Sequence, residues 1–392
     1  MKTLNFILVL FIISMLISCN SKDSVDENIS LEPKILNCNI DNDMSLIDHN
    51  PNGVDYIVEC GIDVYASMII NPGTTIQFEE GTYINFLENS KLTAIGTKTD
   101  KIRFVGSKDQ QSTWAGLYIA NNANRNIIQH AVFMDAGYKQ KYGSIRKNRA
   151  AILTRNATVS FSNLDIVNSG ENGMVFLENT KIENIDFINF IGNKYYPIIV
   201  PLNNLREIRC SHCTFQDNGK SYILVQTPLG SNQSLVEETF LQKQPIPFLF
   251  LNDLVIDANF ILTPGVELVM GLGVRMEVIK QDVFIKIFGK SNGHVVIRGE
   301  KPLSRYWSGM YLNAKSLLYE FHFLDISDGG SNTFDWGKET GNIILAGYNK
   351  STLKLKNCTS SNSGNCDIVL NERWQKMKLE NDNTNLVVCR EK

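Results

Sequence analysis

The chain has 392 residues, 43% of them hydrophobic, with 38 Lys and Arg set against 41 Asp and Glu for a net charge of −3. That balance excludes the global basic field on which nucleic-acid binding rests, and no Lys/Arg stripe with interleaved aromatics interrupts it. No Gly-rich phosphate loop follows a strand and opens a helix, so a nucleotide site has no support.

In chain order, residues 1–18 read as a signal peptide. Lys2 supplies the positive end, LNFILVLFIISMLI is the apolar stretch, and Leu16-Ile17-Ser18-Cys19 closes it. The closing four residues resemble a lipobox, which implies lipidation at Cys19 and a membrane partner through the lipid. Residues 19–34 are polar and aperiodic, the composition of a flexible tether. Within them Asp23-Ser24-Val25 matches an acceptor pattern for bacterial O-glycosylation at Ser24, and Lys22-Asp23 is similar to a surface-export signal. No later run is apolar for long enough to span a bilayer. The expected location is the outer membrane, with periplasmic and cell-surface orientations both open.

Residues 35–53 are expected to cap the first coil, because an open β-edge invites pairing. From Ile76 onward apolar residues alternate in short runs: Ile76 and Phe78, then YINF (83–86), KLTAI (91–95) and KIRFV (101–105). Period two with β-branched and aromatic residues predicts strands, and the separators NPGT, EEGT, GTKTD and GSKDQ are turn chemistry. No stretch keeps a helical period for three turns, so the fold class is all-β.

The chain repeats itself. Trp114, Gly116 and Tyr118 recur as Trp307, Gly309 and Tyr311 at an offset of 193, and Gly96, Ile102, Phe104 and Gly106 match Gly289, Val295, Ile297 and Gly299 at the same offset. Pro72-Gly73 recurs as Pro264-Gly265, VFMDAG (132–137) is matched to HFLDIS (322–327), and NSG (168–170) returns at 362–364. Long-period similarity marks a repeat architecture. The expected organisation is a cap plus first module over 35–225, a linker or wide loop over 226–245, and a second module over 246–392, either stacked or continuous. A finer match places SNLDIVNSG (162–170) over ENIDFINFIGN (183–193) at 21 residues, setting Asp165 over Asp186 and Ile166 over Phe187. That period is too short for a propeller blade and suits one coil of a parallel β-helix.

INPGTTIQFEEGTYINFLENSKLTAIGTKTDKIRF, followed by TWAGLYI and HAVFMDAG, resembles the right-handed parallel β-helix of the pectin-lyase-like superfamily, over about residues 55–225 and again 247–370. The resemblance implies fold far more than activity, because this fold hosts lyases, hydrolases, adhesins and proteins without catalysis. The superfamily's hydrolases use clustered aspartates with a His-Gly turn, and its calcium lyases use aspartates on neighbouring coils with an Arg or Lys base. Neither set is present; Gly293-His294 has the reverse order. Asp165 and Asp186 are the nearest approach to a calcium site, with no base expected beside them; solvent exposure is the other resolution of two stacked carboxylates.

Trp114, Tyr118, Trp307 and Tyr311 have two readings: packing between strand and turn, or faces on which a sugar ring stacks. Export makes disulfides available. Cys38 and Cys60 are placed to staple the cap, Cys358 and Cys366 flank a turn, and Cys210-Ser-His-Cys213 reads as a buried pair or disulfide rather than a zinc site, since only His212 is close by. Cys389 is expected to be the free thiol. The functional expectation is a lipid-anchored envelope protein whose β-helix binds polysaccharide or an envelope protein without catalysis and without a resident cofactor. The alternative is a polysaccharide lyase or glycoside hydrolase with a noncanonical site, and the third is a structural spacer.

Overall fold

A computed structural model describes residues 32–392 apart from 108–112, 123, 139–148, 227–233, 279, 314–317, 334–336, 348–349 and 374–375. Cys19, Ser24, the signal peptide and most of the tether lie outside the described residues. The chain is a parallel β-helix. Every pairing between named strands is parallel, and each coil lays one short strand on each of three sides. Alternation decides which side chains face inward: in Thr75–Phe78 the buried residues are Ile76 and Phe78, and in Gly116–Ile119 they include Leu117 and Ile119. Successive coils stack like on like, so the core is one column with Phe78 against Trp114 at 3.9 Å and Phe104 against Phe133 at 4.4 Å.

The repeated Trp-x-Gly frame is a device for turning the chain between coils. The indole N–H of Trp114 donates to the Met134 carbonyl at 2.8 Å, and that of Trp307 to the Ser327 carbonyl at 2.7 Å. The backbone N–H groups just before each Trp bond the carbonyl of a left-handed aspartate, Thr113 to Asp135 and Tyr306 to Asp328. Gly116 and Gly309 have φ of +109° and +106°, and a Cβ there would lie 2.3 and 2.5 Å from carbonyl oxygens of the next coil. Only glycine fits both demands. Because Asp135 and Asp328 keep the 193-residue offset, the equivalent of VFMDAG is DISDGG (325–330) rather than HFLDIS; the sequence match had followed an Asp three residues too early.

One thirteen-stranded sheet, from Asn39–Ile40 to Thr359–Ser361, runs through both modules and makes them a single column. The described part of residues 226–245 includes the strand Thr239–Leu241, which pairs onward with Phe260–Leu262. The continuous sheet also reveals a rotation. In the first module it carries Gly116–Ile119, whereas in the second it carries Glu267–Met270, the equivalent of Thr75–Phe78. The second module is therefore turned by one face of the three-sided coil. On the other two sides the ladders break at the junction: an eleven-stranded sheet ends there and two six-stranded sheets begin, with the 3-10 helix Leu202–Glu207 filling part of the gap.

Coil lengths vary, and this overturns the 21-residue register. Leu164 pairs with Ile188, Asp165 with Asn189 and Ser162 with Asp186, so Asp165 does not stack on Asp186. Phe187 is likewise not the equivalent of Ile166. It occupies a corner residue with φ +55°, in line with His130 (+51°) and Asn163 (+54°), where long strands bend from one side of the column to the next; Phe323 and Asn357 hold the same corner in the second module.

Among the described residues three disulfides are present: Cys38–Cys60, Cys210–Cys213 and Cys366–Cys389. The pairing expected between Cys358 and Cys366 is replaced because the two face opposite ways. Cys358 points into the column, its thiol near the Phe321 carbonyl, while Cys366 joins an outer cluster with Tyr311, Ile344 and Val369. Cys358, not Cys389, is the free thiol, and burial pushes its pKa up.

Candidate binding groove at the module junction

The structure separates the residues that the sequence brought forward. Trp114 and Trp307 are wholly buried and Tyr311 nearly so, which leaves them no ring face for a ligand. Tyr118 packs partly buried against an outer apolar patch containing Leu153, Val175 and Ile199. Their recurrence reflects packing. Asp165 accepts from Lys101 Nζ at 2.6 Å and from Asn189 Nδ2 at 2.6 Å, and Thr214 extends the row by donating to Asn189 Oδ1 at 2.7 Å. A lysine thus does stand beside Asp165, contrary to expectation, because Lys101 comes from a coil two rungs away. Asp186 turns to another partner: the His212 backbone N–H donates to Oδ1 at 2.9 Å, and His212 Nδ1 lies 2.7 Å from Oδ2. Each carboxylate has its own donors, so the shared calcium site for which Asp165 and Asp186 were the nearest candidates is not assembled.

What the sequence left unmarked is the junction itself. Where the ladder is interrupted, a groove of about 450 Å³ opens between the strand Lys181–Ile191, the 3-10 helix and the strand Thr239–Leu241. Its walls are charged, and the acids are already engaged. Glu183 pairs with Arg125 at 2.5 Å, Glu207 accepts from the Ile182 N–H and from Asn204 Nδ2, and Glu238 accepts from Asn259 Nδ2. Arg206 pairs with Glu237. Lys181 and Arg209 make no ion pair among the described residues, and both are exposed. In the same groove the Phe240 ring is 55% exposed. The open surface therefore offers two free cations and an aromatic face.

The segment carrying Arg209 is held firmly. Asn204 Nδ2 donates to the Thr180 carbonyl, the buried Gln244 accepts from the Cys210 N–H at 2.9 Å and donates to the Ile208 carbonyl, and the Cys210–Cys213 bridge closes the turn. At its end His212 stacks on Phe187 with centroids 4.5 Å apart and planes 3° from parallel. Burial alone pushes the Asp186 carboxyl up, yet the donors from His212 outweigh it and hold the group below its ordinary value. Ser211 Oγ lies 3.3 Å from the same Nδ1 that addresses Asp186, so these three residues are not a nucleophile, base and orienting acid, which need opposite ring nitrogens.

No protein-family model matches the chain, and no curated protein or solved structure does so either.

Proposed function

We propose that the chain binds polysaccharide along the junction groove without cleaving it, and that a lipid on Cys19 holds it at the outer membrane. The observation that carries this reading is Phe240, more than half in solvent in a groove whose acids are internally satisfied and whose free charges are Lys181 and Arg209. An aromatic face suits the apolar side of a sugar ring, and unpaired cations favour a polymer with acidic groups. The likeness of the sequence to the pectin-lyase-like superfamily and the parallel β-helix architecture agree with a glycan ligand.

The test is electrophoresis of residues 21–392 through native gels cast with single acidic or neutral polysaccharides. Retarded migration over an intact polymer lane is expected, with Phe240→Ala weakening retention by about tenfold, on the order of 1.4 kcal/mol. Unchanged migration of the parent chain on every polymer would discard the reading.

A further inference from the structure

We propose that Phe187 and His212 form a ring-stacking subsite at the end of the junction groove, built to take the apolar face of a pyranose unit; this rests on the polysaccharide reading above. The first observation is conformational. Phe187 has φ +55°, a region in which bulky side chains are rare; of the equivalent corners, Asn163 and Asn357 carry a residue suited to it, while His130 and Phe323, like Phe187, do not. A strained residue persists where the surrounding structure holds it, and such positions gather at ligand sites.

The second observation is exposure without a packing role. The Phe187 ring is 52% exposed, and the partner stacked on it is His212, whose own side chain is 60% exposed. Asp186 fixes that imidazole through both its ring and its backbone N–H, and the Cys210–Cys213 bridge fixes the turn beneath it. Each stacked ring covers and braces one face of the other, so the outer face left on the pair is held in place and little ordering is left for binding to impose. The third observation is position: Asp186 follows Ile185 of the groove wall directly, and Arg209 of the same groove lies three residues before His212. A polymer lying in the groove beside Phe240 would reach the stack at the corner.

The decisive variant is Phe187→Asn, which installs the residue found at two of the equivalent corners, Asn163 and Asn357. It is expected to raise Tm by up to a few degrees, while weakening polymer retention about fivefold to tenfold. His212→Ala is expected to weaken retention to a similar extent. Full retention by Phe187→Asn, when Phe240→Ala loses it, would overturn the subsite and leave the groove reading intact. A fall in Tm of the size seen for a core residue would also overturn it, assigning Phe187 to packing. If the parent chain binds no polymer, the groove reading fails first and the subsite with it.

Discussion

At the scale of single residues, the repeated Trp-x-Gly frame is explained by a steric and a hydrogen-bonding requirement that recur together. Gly116→Ala or Gly309→Ala would drive a Cβ against a carbonyl oxygen of the next coil and force a positive φ on alanine. Each is expected to cost more than about 1 kcal/mol in urea-unfolding experiments. The cysteines give a sharper test. Seven follow Cys19, six are bonded and Cys358 is buried, so residues 21–392 should resist thiol labelling when folded and take up one label per chain when unfolded without reductant. Two or more labels would refute the pairing. Asp186 adds a pH dependence. A carboxyl whose folded pKa is depressed contributes stability above its unfolded value and loses that contribution as pH falls through the folded one. Below about pH 4 the parent chain should therefore lose stability more steeply than Asp186→Asn.

At the scale of elements, much was legible in the sequence and the corner was not. Alternation in IQF, YINF and KLTAI marked strands because each coil buries one face, and NPGT and EEGT marked turns because only a few residue types accept those dihedrals. The register between coils was obscured by their unequal length: 33 residues separate Ala131 from its partner Leu164, but 24 separate Leu164 from Ile188. Similar short words, SNLDIV and ENIDFI, then aligned in the wrong phase and set Phe187 level with Ile166, a residue the structure buries. The left-handed corner has no residue signature that would have exposed the error, for it carries His130, Asn163, Phe187, Phe323 and Asn357 in turn. The corner strain is about 1 kcal/mol for a bulky side chain. Its relief by Phe187→Asn should appear as a higher urea midpoint with an unchanged m-value.

At the scale of the whole molecule, the duplication produced one column rather than two domains, because the thirteen-stranded sheet never breaks. Rotation of the second module by one face interrupts the other ladders, and the interruption creates the groove. This could not be read from the sequence: the equivalent words stay in order whichever face continues, and Lys181, Arg209 and Phe240 belong to no repeated motif. Continuity predicts cooperativity. In hydrogen exchange under increasing urea, amides of Leu117–Ile119 and of Ile343–Leu345 should become unprotected at one midpoint, whereas two separated midpoints would mean independent modules.

The most direct test of a binding groove at the junction is a hydrogen-exchange footprint of residues 21–392, with and without the polysaccharide that retards it most. Added protection is expected at 181–187, 206–213 and 238–242, with none at the Trp-x-Gly strands 116–119 and 309–313. Protection centred on those strands, or on the row of Asp165 and Asn189, would contradict the junction as the binding site.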